Sequence, residues 1–435
     1  MQLSRRAFLA ATGAVAAPLL LPGCGFVGGS SSSGGGTGAE GTLTFTTWGT
    51  DAELAGFRSA IDAFQQANEG ATVNLNAVPY EQMFTNIDAQ LQAGNPPDIF
   101  RVPYYTFGAY AGAGQLLDLS SYLSDGVQDQ FTETAWAAVQ NGGSPFGLPH
   151  HTDTSAILYN KQLLEAAGIT DVPTSVDDAW TWEELGQVAD RLKAGLPSGT
   201  YPFAYNWQGN GVTRWLSLLF QADGAFLDTD QKTPLIDSDA GRAAVEFSSS
   251  FFRNGWVPDT DTTTSSTYAA DTWFSSTVAM VWSGAFQIPD ADTTADFEWG
   301  VTYAPVDVRG GGDFGGNALV ATQATNQPEL AASFLEFVTQ RDQMQGFCQS
   351  ASLLPTRPDL LDGSLSFDVR PETTEVFVGQ AGQVQPQDAA QVASPSMSGI
   401  IPVLKTQLDA AFLGSQDAAT TVTNMAQGIA DATGA

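Results

Sequence analysis

The 435-residue sequence predicts an α/β protein. Two observations lead there. From Thr42 onward, short stretches that alternate apolar and polar residues take turns with stretches whose apolar residues recur at helical spacing, so the chain opens β-α-β-α-β, the order that builds a parallel sheet. Hydrophobic residues make up 43% of the chain, and the length suits two to three domains or one large two-lobed unit.

Leu43 to Thr46 reads as the first strand. Trp48 to Asp51 turns the chain, and Thr50 or Asp51 can cap the helix whose apolar face is Leu54, Phe57, Ile61 and Phe64 and which stops near Gly70. Thr72 to Ala77 alternates again. Met83, Ile87 and Leu91 mark a second helix ended by Gly94, and Asp98 to Val102 is a third strand. A second series starts near residue 154: a strand from Ser155 to Tyr159, a short helix from Lys161 to Ala167 closed by Gly168, and a helix announced by the capping box Thr181-Trp182-Glu183-Glu184. Phe203 to Tyr205, Thr277 to Trp282, Trp299 to Tyr303 and Asn317 to Ala321 read as strands. Val212 to Ala222 and Ser238 to Asn254 read as helices. One long helix is predicted from Pro328 to about Phe347, and the chain beyond Gln383 is mostly helical.

The N-terminus carries Ser4-Arg5-Arg6-Ala7-Phe8-Leu9, then an apolar run to Leu21 and Leu21-Pro22-Gly23-Cys24. That run is shorter than the ~20 residues a spanning helix needs. Two arginines before it make an export signal. Residues 24–41 are rich in Gly and Ser and read as a flexible tether reaching about 20 Å. Cys348, the other cysteine, lies in a helical stretch and reads as a buried thiol.

Sixteen Lys and Arg stand against 47 Asp and Glu, a net charge of −31. This excludes general nucleic-acid binding, which needs clustered bases, and argues against docking on anionic lipid. No phosphate loop, nucleophile elbow or His-Glu-x-x-His pair is present. His150 and His151 are adjacent, and on an extended segment their side chains diverge, so no metal site is expected. Carboxylate pairs carry no information in so acidic a chain. The aromatics are more telling: Trp48, Tyr80, Tyr104, Tyr105, Trp207, Trp215, Trp273 and Trp282 read as loop or strand-end residues, where α/β lobes bind ligands. Flat rings suit the C–H faces of a sugar, and Asp, Asn or Arg suits its hydroxyls. Trp180, Trp182 and Trp256 read as structural.

Several blocks in order resemble the extracellular solute-binding proteins of ATP-binding-cassette importers, in the sugar-binding branch that contains maltose-binding protein. They are Leu43-Thr44-Phe45-Thr46-Thr47-Trp48-Gly49-Thr50-Asp51, Leu91 to Phe100 with its Pro96-Pro97-Asp98, Gly114 to Leu119, Phe146-Gly147-Leu148-Pro149, Leu158-Tyr159-Asn160-Lys161, Ala166-Ala167-Gly168, Trp180 to Leu185, Val278 to Gly284 and Leu354-Pro355-Thr356-Arg357. The start resembles a twin-arginine lipoprotein signal, with lipid on Cys24 after cleavage. The resemblance spans about residues 42–360.

The resemblance implies a two-lobed periplasmic-binding-protein-like fold of type II, with the lobes joined by a multi-strand hinge. Residues 1–23 would be the signal peptide and 24–41 the lipidated Cys and tether. Lobe 1 would hold 42–150 with 313–350, and lobe 2 would hold 154–308 with 354–435. Crossings are expected near Pro149–Asp153, Arg309–Gly316 and Ser350–Pro355, with Gly310, Gly311, Gly312, Gly315 and Gly316 absorbing the hinge motion. The ligand contacts it implies are Trp48, Asp51, Tyr104, Tyr105, His151, Asp153, Trp282, Gly316, Asn317 and Arg357. Tyr80 and Trp207 are added from their position and ring type. His151 departs from the polar residues many members carry there. The expected function is capture of a carbohydrate in the inter-lobe cleft, without chemistry or cofactor, by a lipid-anchored monomer on the extracytoplasmic face that delivers it to a permease. A polyamine, metal or phosphoester binder, a secreted glycan-degrading lipoprotein and a signalling receptor without transport are the alternatives.

Overall fold

The computed structural model describes residues 40–265 and 267–435. The expected export signal, Cys24 and nearly all of the expected tether lie outside the described residues.

β1 (Gly41–Thr47), β2 (Ala71–Ala77) and β3 (Ile99–Pro103) are joined by the helices Asp51–Ala67 and Tyr80–Gln92. β1 lies between the other two and parallel to both, as right-handed β-α-β units require. A short hairpin of β4 (Gln140–Asn141) and β5 (Ser144–Pro145) precedes β6 (Leu148–Thr152). β7 (Ser155–Asn160), β8 (Tyr201–Tyr205), β9 (Val278–Gly284) and β10 (Trp299–Thr302) then form a second sheet, in the order β10-β7-β9-β8. The chain returns through β11 (Asn317–Ala321) and β12 (Leu354–Pro355), and the first sheet runs β12-β6-β11-β3-β1-β2. The opening β-α-β pattern is therefore parallel, but both sheets are mixed: β11 is antiparallel to β3 and β6, and β7 to β9.

The first lobe packs Phe45 edge-on against Phe57 and Phe334, with Phe64 beside them. The second buries Trp215 and Trp273 inside helices, not in loops. The capping box at Thr181 forms as the sequence predicts. The helix expected from Pro328 to Phe347 is two helices, Pro328–Val338 and Arg341–Ala351. Gln340 takes extended backbone, and Arg357 donates to the carbonyl of Thr339, which ends the first helix with a positive charge. Cys348 is buried and free, and burial pushes its thiol pKa up.

The chain passes between the sheets from β6 to β7, from β10 to β11 and again after β12. β12 pairs with β6, so residues 354–355 stay with the first sheet. The helix Met397–Gly414, the last but one, packs on Asp239–Arg253 of the second lobe and also on Tyr104–Gly112 of the first. A Cβ on Gly108 would lie 2.6 Å from the backbone of Pro395, so only glycine fits this contact. No helix among the described residues is long and apolar enough to cross a membrane.

Candidate functional site

A cleft of about 390 Å³ opens where residues of the two sheets face each other. Its first-lobe wall begins at the turn after β1. Thr50 accepts from the Glu53 N–H, and Glu53 Oε2 accepts from the Thr50 N–H, so a capping box fixes the turn that carries Trp48. Glu53 Oε1 accepts from Arg101 at 2.6 Å, and Arg101 also donates to the carbonyl of Trp48 at 2.9 Å. The guanidinium lies 4.4 Å from the Trp48 ring centroid. A buried ion pair thus holds the indole from beneath, while Tyr80 and Phe84 meet it edge-on at 5.2 and 5.7 Å.

Tyr105 donates to the carbonyl of Gly209, 3.0 Å away on the second lobe. Its single proton is then committed, so the 2.6 Å contact with Tyr80 is a bond that Tyr80 donates. This pair bridges the lobes at one edge of the cleft. Burial raises the pKa of both phenols.

The floor is built from two crossing segments. Gly315 donates to the carbonyl of Asp153 at 3.0 Å, and a Cβ on Gly316 would lie 2.3 Å from the carbonyl oxygen of His151. Gly316 has φ +98°, a left-handed conformation open to glycine. Asp153 Oδ1 accepts from the Ala285 N–H, and Asp313 Oδ1 accepts from the Ser155 N–H. Arg214 stands 4.0 Å from Asp313 Oδ2 and donates to the carbonyl of Gln208. Burial first, and then the Asp313 charge, push the Asp153 carboxyl up to about 8; burial raises Asp313 as well.

The two histidines meet, against expectation. Asn317 pairs with His151 and Ala318 with Pro149, so His150 is an extra, unopposed residue. This bulge brings neighbouring side chains together, with their Nδ1 atoms 3.0 Å apart. A guanidinium only donates, so His151 Nε2 accepts from Arg101 and its proton sits on Nδ1, facing His150. Asn317 Nδ2 donates to the same Nε2, which assigns its amide and leaves Oδ1 without a partner at the cleft wall. Burial lowers both imidazoles, His150 to about 3, so the pair is neutral. No cluster of three or more metal-ligating side chains exists among the described residues.

Of the residues named from sequence, the structure brings Trp48, Tyr80, Tyr105, His151, Asp153, Gly316 and Asn317 together on this cleft. Five others lie elsewhere. Trp282 is 3% exposed, in the middle of the second sheet opposite Ile157, with its ring against Tyr205. Trp207 is 2% exposed and packs between Tyr205 and Phe412. Tyr104 backs the cleft from behind: it stacks on Phe314, a lining residue, and donates to the carbonyl of His151. Arg357 is locked by Asp359, Gln130 and the helix end at Thr339. Asp51 is an exposed first-turn residue of its helix, outside the lining. For the other four the ring or charge suited a ligand, but the strand register or a local partner turned it inward.

Sequence reasoning missed Arg101, Asn206, Arg214, Tyr268, Asp313 and Phe314 on the lining. Arg101 had a signal: a lone charge inside the apolar strand Ile99-Phe100-Arg101-Val102. The others sit in loops or a helix first turn, where spacing is silent.

The family described as bacterial extracellular solute-binding protein matches residues 48–345. The diacetylchitobiose binding protein DasA of Streptomyces coelicolor is 23% identical over 367 residues, 82% of this chain and 83% of its own. The arabinooligosaccharide-binding protein of Bacillus subtilis is 25% identical over 236 residues, 53% of this chain and 50% of its own. Among solved structures, the GacH receptor of Streptomyces glaucescens, studied unliganded and with acarbose, superposes with a TM-score of 0.76 at 21% identity, covering 90% of this chain and 98% of that one. An ABC substrate-binding protein of Listeria monocytogenes in complex with cycloalternan gives 0.77 at 19% identity, covering 91% and 99%.

Proposed function

Because the chain belongs to the bacterial extracellular solute-binding proteins, we propose that it captures a carbohydrate in the cleft and hands it unaltered to a membrane permease. The observation that carries this reading is a lining that combines the rings of Trp48, Tyr80, Tyr105 and Phe314 with the polar groups of Asp153, Asp313, Asn317 and Arg214. Rings offer apolar faces to sugar C–H groups, and the floor offers acceptors and a donor to hydroxyls. A ligand that touches both walls stabilises the closed arrangement, in which Tyr105 already reaches Gly209. The volume is that of a small-molecule site, about 300–1,000 Å³.

The protein's relatives are described as binding proteins, and the mechanism asks for no chemistry. Export through the twin-arginine signal and lipid attachment at Cys24 would keep the body beside the membrane, on the outer side that suits an extracellular family. The test is titration calorimetry with mono- and oligosaccharides, followed by chromatography of the recovered ligand. Saturable binding with an unchanged ligand supports the reading. A cleaved product assigns the protein to the glycan-degrading alternative.

A further inference from the structure

The polar groups on the cleft are unbalanced. Five carboxylates (Glu53, Asp153, Asp271, Asp290 and Asp313) line it against two guanidiniums, Arg101 and Arg214. Arg101 is spent on Glu53 at 2.6 Å. Arg214 is 4.0 Å from one oxygen of Asp313 and makes its hydrogen bonds to backbone carbonyls. Asp153 and Asp313 are both buried, and each uses Oδ1 to accept a backbone N–H of the second lobe. Their Oδ2 atoms take no hydrogen bond from the described residues. A rim of acids is expected on so acidic a chain; a pair buried at its floor is not, because burying like charges is costly without a counter-charge.

A second observation is independent of charge. Asn317 is 7% exposed, and its Oδ1 has no partner. The orientation of its amide follows from His151, whose Nε2 can only accept beside Arg101. An orphaned buried acceptor calls for a donor that the protein does not supply. The hydrogen bond from Gly315 to Asp153 and the pairing of Asn317 with His151 hold the two crossing segments together, and Asp153, Asp313 and Asn317 on them all line the cleft.

Resting on the carbohydrate reading, we propose that the ligand carries a basic nitrogen, as an amino sugar does, and that its N–H groups are received by Asp153, Asp313 and Asn317. An ammonium donates to several acceptors at once and its charge can take the place of the proton that burial leaves on Asp153, and the aromatic residues favour a cation near their rings. A hydroxyl supplies one donor and no charge. Glu53, Asp313, Arg214 and the Ala285 N–H bear on Asp153, and burial with the neighbouring carboxylates outweighs Arg214 and the Ala285 N–H, so the carboxyl keeps its proton in the empty cleft. Arrival of an ammonium therefore expels a proton from Asp153 near neutral pH.

The experiment is calorimetry on the folded chain with matched triads: glucose and galactose monomers and β-1,4-linked dimers, each as free amine, N-acetyl amide and hydroxyl, with spermidine as an amine lacking a ring. Runs at about pH 6 keep the amines charged, and two buffers of different ionisation enthalpy count protons. The expected result is binding of one free amine at least about tenfold tighter than its two counterparts, with proton release, and loss of that preference in Asp153→Asn. Asp313→Asn serves if Asp153→Asn does not fold. Equal or tighter binding of the hydroxyl or N-acetyl member overturns this inference and leaves the carbohydrate reading intact. Spermidine binding with no sugar bound overturns the carbohydrate reading and the ring part of this proposal. No binding at all counts against both.

Discussion

Trp48 shows how one side chain comes to serve a site. Its ring rests on Arg101, its carbonyl accepts from Arg101, and Glu53 fixes Arg101 while capping the next helix. Trp48→Ala is expected to weaken ligand binding by one to two orders of magnitude, about 1–3 kcal/mol, with melting little changed, because the ring is only partly buried. Trp282→Ala should do the reverse: its ring is inside the sheet, so removal costs about 3–5 kcal/mol of stability. Circular-dichroism melts beside binding titrations separate the two. Titration gives a further expectation. Asp153 and Asp261 both have folded pKa values pushed up to about 8 by burial, so the native state holds protons there that the unfolded chain releases near 4. Their contribution therefore falls as pH rises from about 4 to 8. His150, pushed down to about 3, acts oppositely but only below about pH 6.5. Between about pH 6.5 and 8 the raised aspartates, Asp313 among them, outlast the histidine effect, so Tm should decline and Asp153→Asn should reduce the slope. A flat profile that the substitution leaves unaltered would remove Asp153 from this role.

Elements were more readable than side chains. The strands Gly41–Thr47 and Asn317–Ala321 and the helix that Thr181 caps follow from alternation and caps, which are local signals. The break at Thr339–Gln340 was hidden, because its cause is Arg357, close in space but not in the helix pattern. The direction of Trp282 was hidden for a similar reason: an aromatic at a strand looks the same whether its register faces the core or the cleft. The His150 bulge depends on pairing with β11, residues away in sequence. At this scale the glycines are decisive. Gly316→Ala places a methyl against the backbone of His151 and demands φ +98° of a residue with a Cβ. It should destabilise by about 1–3 kcal/mol and disturb the floor, read as a lower Tm together with weaker binding.

At the scale of the molecule, two mixed sheets meet at a cleft, and the crossings between them carry the acids at its floor. The helix Met397–Gly414, which bears no motif, packs on both lobes, and Pro395 just before it meets the first at Gly108. Gly108→Val should push this contact apart, and small-angle scattering should show the lobes less able to close on ligand. Composition foresaw this level best, since length, apolar content and β-α-β alternation survive changes in any single residue. The measurement that tests capture most directly is a thermal-shift screen of residues 40–435 against mono- and oligosaccharides. At least one carbohydrate should raise Tm in a concentration-dependent way, by a few degrees at about 100 times Kd, and Trp48→Ala should lose that rise. A Tm unmoved across the library, or a rise that Trp48→Ala keeps in full, would contradict carbohydrate capture in this cleft.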